Sequence, residues 1–458
     1  MLLIFIVLYL FITLLIGWFS SKLVKNPKDF VLAGRKMPTF VVASGLFATW
    51  FGSETVMGAS SEFLDKGLLG VIEDPFGAAL CLLLIGLFFA RPLYKLKLYT
   101  FSDYFRQRFG KKVELISALF MVPSYFSWIA AQLIALAIII QSISGLPFVW
   151  GVVFCAAIVL FYTYLGGMWS ISITDTIQTF IIIGGLTYLA YYFFDKSGDV
   201  FIKKNRFPDN FFRFFPKEKN IKNWLLYFSA WITIGWGSIP QQDVFQRVLS
   251  AKSEKAAVNG SIISSIMYLS VAFLPLSVVY FGSISYPDLL TEDNQMFIPK
   301  LVLAHSNLFV QILFFGALIS AILSTCSAAV LAPATVIAEN IIKPYMGDRI
   351  DDKDLLKIMR YSTVVISILA VGMTFIKTNI YELVGEASAL SLVALFVPLT
   401  AGLYWKRANK TGASISMISG TTAWIIALNL DLQVAPPAVF GLFVSILGMV
   451  GGSLLSKN

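Results

Sequence analysis

Charge is what this chain has least of. Only 13% of its 458 residues are Asp, Glu, Lys or Arg, about half the share of a typical soluble domain, roughly 25%. Fully 57% are hydrophobic, so a water-soluble globule is excluded and a polytopic membrane protein is expected. Histidine occurs once, at His305, and cysteine three times, at Cys81, Cys155 and Cys326, each inside an apolar stretch. A disulfide framework and a thiolate metal site are thereby excluded. An intramembrane enzyme would need carboxylates or histidines converging with a metal or nucleophile. The acidic residues here are scattered, so neither an enzymatic activity nor an organic cofactor is expected. The net charge of +9 does not read as a nucleic-acid surface. Its lysines and arginines fall in loops and at the ends of apolar runs, where they orient a chain in a bilayer.

What is present is apolar sequence in span-length pieces. Thirteen runs of about 20 residues, enough to cross a bilayer, lie near 2–21, 38–63, 72–95, 113–142, 148–168, 172–194, 223–248, 257–282, 307–342, 357–376, 380–405, 411–429 and 436–455. The first is too long for a cleavable signal and lacks a positive leading region, so it reads as a retained span. An outside N-terminus places 24 of the 35 basic residues on the cytoplasmic side, Lys457 among them. That orientation follows the positive-inside rule and puts the C-terminus in the cytoplasm. Eight of the remaining basic residues crowd the single loop 195–222.

One span is interrupted. Phe47 to Ala59 reads F-A-T-W-F-G-S-E-T-V-M-G-A, with Gly52, Ser53, Glu54 and Thr55 in a row. An intramembrane carboxylate is costly, by at least ~2.5–3.5 kcal/mol, and should face a cavity or partner. Irregular backbone at that depth survives only where it lines such a cavity. Five helices later comes a second interruption, Gly235-Trp236-Gly237-Ser238-Ile239-Pro240. Two interrupted spans at matching positions of two halves point to a transporter site at the midplane. Close packing through Gly and Ser is the plainer alternative for either segment alone.

Further along, Gly316 to Ala329 carries Ser320, Ser324 and Ser327, spaced four and three apart on one helical face, with Thr325 adjacent. Hydroxyls set against unwound carbonyls suit a sodium ion, although such residues also bond back to their own helix. Asp175 reads either as a helix cap or as an ion relay. Asp243 and Arg247, four apart, are expected to pair.

Several stretches together resemble the sodium/solute symporter family, which includes the sodium/glucose, proline, sialic acid and choline carriers. They are A-T-W-F-G at 48–52, L-F-F-A-R-P at 87–92, Y-L-G-G-M-W-S-I-S-I-T-D-T-I-Q at 164–178, I-P-Q-Q-D-V-F-Q-R-V at 239–248 and S-A-I-L-S-T at 320–325. The resemblance implies an all-α, LeuT-like core of five plus five helices in inverted repeat, within 13 transmembrane helices. On that reading 1–37 hold a leading helix and cytoplasmic loop, and 38–194 the first repeat. Residues 195–222 form an extracellular loop, 223–405 the second repeat, and 406–458 two trailing helices.

The resemblance also implies a sodium site at the carbonyls of Ala48, Phe51 and Ala321 and the hydroxyls of Ser324 and Thr325. A second sodium would use Asp175, Ser324 and Ser327; Ala328 stands where members with that ion place a serine. The expected partners are a small solute, sodium and the bilayer of a cell membrane, with no protein partner indicated. Candidate solute contacts are Trp50, Ser53, Glu54, Ala78, Trp128, Gln132, Trp236 and Gln241. Trp50 and Trp128 match two positions of the aromatic cage that the choline branch closes around a quaternary ammonium; Ala78 and Gln241 occupy the other two. A small amine or zwitterion, such as an amino acid, betaine or choline-like compound, is therefore expected over a sugar or organic acid. A sensor built on the same fold is the alternative class. Since the chain ends soon after its last span, a fused kinase is not expected.

Overall fold

The computed structural model describes every residue except 204–206, 209, 219, 292, 347–349, 431–434 and 457–458. Of the basic residues counted above, Lys204, Arg206, Lys219, Arg349 and Lys457 lie outside the described residues. Among those described, the regular structure is helical. A single-chain apolar segment can satisfy its backbone in hydrocarbon only by bonding within itself, and the helix does this. Ten helices are long and apolar enough to span a membrane, among them Leu2–Ser21, Lys111–Ser144, Glu254–Ser285, Asp352–Met373, Lys410–Leu430 and Pro437–Leu455. Thr39–Trp50 and Phe148–Phe161 are apolar but shorter. The helical stretch Phe148–Lys203 is kinked at Gly167 (φ 49°, ψ −141°) and again at Gly198 (φ 29°, ψ −128°); the first kink separates two long helices. A Cβ there would sit 2.5 Å from the ring and the carbonyl of Phe30, so only glycine lets the chain turn at that point.

Both interruptions are real breaks. Thr39–Trp50 stops at Phe51, whose ψ of 76° leaves the helical region. Helix resumes at Glu54 through wide turns over Glu54–Gly58 before settling into Ala59–Lys66. The neighbouring Ile72–Gly77 is also wide-turned and holds Pro75. Such wide turns appear frequently at functional sites. The second broken helix runs Ile221–Gly237, turns through Ser238 to Gln241, and continues as Gln242–Ser250. Pro240 lies in the turn, where its missing N–H costs no helical bond.

The core sits around the first break. Phe47 stacks on Phe51 with ring centroids 4.9 Å apart, and Tyr268 meets Phe51 edge-on at 5.8 Å. The long helix Leu308–Val336 is buried almost throughout its second half. By contrast Leu2–Ser21 exposes Phe5, Phe11 and Trp18 on its outer face, as a lipid-facing helix does. The last two helices pack through small residues, with Ser416 and Ser445 hydroxyls 2.8 Å apart and Gly412 against Gly452, the close approach expected between membrane helices.

Candidate ion and solute site

Breaking the first helix frees carbonyls that would otherwise be bonded, and Leu308–Val336 brings hydroxyls to them. Thr325 Oγ1 lies 3.3 Å from the Ala48 carbonyl and 3.1 Å from that of Ala321. The second contact is the ordinary bond of a threonine to its own helix; the first crosses between helices 277 residues apart in sequence. Three of the five sequence-derived sodium ligands therefore meet at one hydroxyl. Gly52 lies in the same place: a Cβ built on it would be 2.6 Å from Glu54 Oε2, 2.8 Å from Gln132 Oε1 and 2.8 Å from Thr325 Oγ1. Three side-chain oxygens crowd one glycine, and any larger residue would push into them. Among the described residues no three His, Cys, Asp or Glu gather as a metal site; the oxygens around Gly52 are one carboxylate, one amide and one hydroxyl.

Ser324 gives its proton to a different partner. Its hydroxyl donates to Asp175 Oδ1 at 2.6 Å, and the other oxygen, Oδ2, is 3.3 Å from the Arg247 guanidinium. Arg247 also donates to the Gly45 carbonyl at 3.1 Å and to the Asp243 carbonyl at 3.2 Å. The expected Asp243–Arg247 side-chain pair is thus corrected: Arg247 pairs with Asp175, and Asp243 accepts from Trp50 Nε1 at 3.0 Å and from the Tyr125 hydroxyl. Asp175 is no cap, because its two oxygens bind partners on other helices. Ser327 donates to the Ser324 carbonyl at 2.9 Å, and its hydroxyl makes no bond to Asp175.

Beside Gly52 lies a small cavity of about 20 Å³, lined by Trp50, Glu54, Asp74, Ala78, Trp128, Ile234, Ser238, Gln241, Tyr268, Val384 and Ser388. Five of the eight expected solute contacts are in this wall: Trp50, Glu54, Ala78, Trp128 and Gln241. Gln132 stands one layer behind, donating to Glu54 Oε2 at 2.8 Å and accepting from the Ser53 N–H at 3.0 Å. Trp236 stands apart from the wall: it stacks on Phe396 at 5.3 Å.

Sequence reasoning missed six wall residues, the ionisable Asp74 and Tyr268 together with Ile234, Ser238, Val384 and Ser388. Asp74 is 1% exposed; its Oδ2 accepts from Thr55 Oγ1 and its Oδ1 from the Tyr268 hydroxyl, each at 2.9 Å. Its only sequence signal was a pair of acidic residues, Glu73-Asp74, at the start of an apolar run, which reads equally as a solvated helix end. Tyr268 gave no signal at all. Among the described residues no Lys, Arg or His lines the cavity. Its wall holds two carboxyl groups and no basic partner.

Both ends are shut. Beyond Asp74, the Tyr381 hydroxyl accepts from the Asp74 N–H and donates to the Gly70 carbonyl, each at 3.3 Å. Toward the other end, Asn340 Nδ2 donates to Asp103 at 2.8 Å and Glu114 at 2.9 Å, while its Oδ1 accepts from Thr100 at 2.7 Å. The Phe101 N–H donates to Gln242 at 2.9 Å. Two hydrogen-bonded layers thus flank the cavity.

This arrangement has counterparts among known proteins. The family model described as "Sodium:solute symporter family" matches residues 30–420. The chain is 28% identical to a high-affinity choline transporter of Drosophila melanogaster over 95% of its length and 71% of the relative's. It is 26% identical to a sodium/glucose cotransporter of Vibrio parahaemolyticus (86% and 78% covered). With a sodium/proline symporter of Escherichia coli it shares 25% (98% and 92% covered). Among solved structures, a Na+-coupled sialic acid symporter in a substrate-bound outward-open state superposes with a TM-score of 0.85 at 19% identity, over 100% of this chain and 98% of that one. Mhp1, a nucleobase-cation-symport-1 family transporter, follows at 0.60 and 16%, over 93% and 94%. These likenesses show the LeuT-like fold.

Proposed function

Because the chain belongs to the sodium:solute symporter family, we propose that it is a sodium-coupled symporter importing a small amine-bearing solute across a cell membrane by alternating access. The observation that carries this reading is Thr325 bridging the broken helix at Ala48 and its own helix at Ala321, beside a small cavity lined by two carboxyl groups. Sodium would be held by the carbonyls of Ala48, Phe51 and Ala321 with the hydroxyls of Thr325 and Ser324. Such an ion ties the first break to the helix Leu308–Val336, while the solute ties it to the second break through Gln241. Coupling then follows from shared walls: each ligand holds the broken segment in the geometry the other needs.

Thirteen crossings are part of the same reading, with five-helix repeats at 38–194 and 223–405. The N-terminus lies outside and the C-terminus inside, so the layer built on Asn340 is the cytoplasmic gate and the Tyr381 layer the outer one. We read the second ion position as already filled by a fixed cation. Arg247 occupies one oxygen of Asp175 and Ser324 donates to the other, which leaves one transported sodium. Solute choice follows from charge. A carboxylate solute would find no basic side chain in the wall, and a buried unpaired charge is costly. The test is uptake of labelled amines into proteoliposomes under an imposed sodium gradient. Uptake that ignores the gradient would remove the symport reading.

A further inference from the structure

We propose that the solute is a compact primary ammonium cation whose N–H groups donate to Glu54, Asp74 and Gln241, not a quaternary ammonium and not a zwitterion. The inference rests on reading this cavity as the solute site. It starts from the wall's unused hydrogen-bonding capacity. Gln241 Oε1 is buried, lines the cavity and has no partner. A buried acceptor left unmet is unfavourable, and most such groups in folded proteins are satisfied. The two carboxyl groups have room as well. Glu54 accepts only Trp128 Nε1 at 3.3 Å and Gln132 Nε2 at 2.8 Å from side chains. Asp74 accepts Thr55 and Tyr268 hydroxyls. A carboxylate has about four lone-pair sites, so each keeps capacity for a further donor.

The wall's aromatic donors are committed. Trp50 Nε1 donates to Asp243 and Trp128 Nε1 to Glu54, while the Ser238 and Ser388 hydroxyls bond each other at 2.9 Å. What the cavity asks for is a guest that supplies N–H bonds and positive charge together. A trimethylammonium group supplies the charge and no donor. It is also held best by a ring of aromatic faces, and here Ala78, Ile234, Ser238, Val384 and Ser388 interrupt that ring. A zwitterion adds a carboxylate to a wall that already has two. As it stands the cavity of about 20 Å³ holds roughly one water, so the wall must open around a guest, and a short carbon skeleton asks the least of it.

Ethanolamine and choline form a matched pair of probes, with the same skeleton and three N–H groups exchanged for three methyls. The full chain, purified in nanodiscs with saturating sodium, is titrated with ethanolamine, choline, glycine betaine, glycine and glycolate, and Tm is followed. Ethanolamine should raise Tm, choline should need at least roughly tenfold more for the same shift, about the worth of one hydrogen bond to a charged group, and the other three should give none. Gln241→Met should pull the ethanolamine-to-choline ratio toward one. Asp74→Asn should weaken ethanolamine, and a reduced sodium-only shift in that variant would mark general damage. Stabilisation by choline, betaine or glycine at a lower concentration than ethanolamine overturns the inference, as does an absent ethanolamine shift where sodium still stabilises. Sodium-driven uptake is read separately. Ethanolamine binding without gradient-driven uptake would sink the symport reading and leave the inference standing; driven uptake of choline alone would do the reverse.

Discussion

Gly52→Ala tests the ion site with a single methyl group. The added Cβ would lie 2.6 Å from Glu54 Oε2 and 2.8 Å from both Gln132 Oε1 and Thr325 Oγ1, inside the distance any real side chain tolerates. None of the three oxygens is free to leave. Glu54 is held by Trp128 and Gln132, Gln132 by the Ser53 N–H, and Thr325 by two carbonyls. Overpacking of this kind costs about 1–3 kcal/mol, and releasing one of the bonds instead costs about 0.5–1.5 kcal/mol. Either way the strain falls on the sodium-ligand cluster, so most of it should appear as lost sodium affinity. At 1.4 kcal/mol per factor of ten, a loss of about 1–3 kcal/mol raises the half-saturating sodium concentration by roughly 5- to 150-fold. The assay is sodium titration of Tm and of uptake, with Gly316→Ala as control. A Cβ at Gly316 meets nothing within 4 Å, on the helix that carries Thr325, and should change neither. Wild-type sodium dependence in Gly52→Ala would refute the placement of the ion beside Gly52.

Three further outcomes are expected. Ser324→Ala with Thr325→Ala should abolish the sodium-induced rise in Tm, which reaches about 2.7 kcal/mol of stabilisation at a hundred times Kd; a persisting shift puts the ion elsewhere. Arg247→Gln should destabilise the protein by about 3–5 kcal/mol, because it strands the buried Asp175 carboxylate. Asp175→Asn in the same chain should restore part of that, as thermal unfolding would record. Sodium-driven uptake should show a Hill coefficient near one; a value near two that Asp175→Ala lowers to one would contradict the reading of Arg247 as the fixed second cation.

The membrane class and most helices were legible because the bilayer enforces them. A span-length apolar run must cross as a helix, and a polar break within it must line a cavity. Thr39–Trp50 falls below span length only because the break at Phe51 divides its span, so the feature that weakens the count is the one that builds the site. Partner choice was less legible. Asp243 and Arg247 stand four apart and invite a local pair, yet Arg247 finds Asp175, 72 residues away. Sequence spacing ranks only neighbours on one helix, whereas a buried guanidinium is placed by whichever carboxylate the packing presents. Glu54, Asp74, Asp175 and Asp243 are each met by donors from other helices.

The same limit governs which solute contacts were found. Trp50, Glu54 and Gln241 lie at the breaks, where irregular backbone marks the wall directly. Trp236 also precedes a break, but two residues of helix turn a side chain by about 200°, and it points away from Ser238 to stack on Phe396. Asp74 sits at a kink of its own (φ −138°, ψ 120°) just before Pro75, near the start of an apolar run where it reads as a helix end. Tyr268 lies within the continuous helix Glu254–Ser285, where nothing in the local sequence marks a cavity. Their meeting with Thr55 is a tertiary event, and it alters the chemistry of the site. With Glu54 alone, one carboxyl group among aromatic rings suits an amine of any substitution, and a zwitterion nearly as well. With Asp74 beside it and Gln241 Oε1 unmet, the wall becomes one that accepts hydrogen bonds and has no cation of its own. The residues invisible to the sequence are therefore the ones that separate an N–H-bearing ammonium ion from the quaternary ammonium named for the choline-transporting relatives.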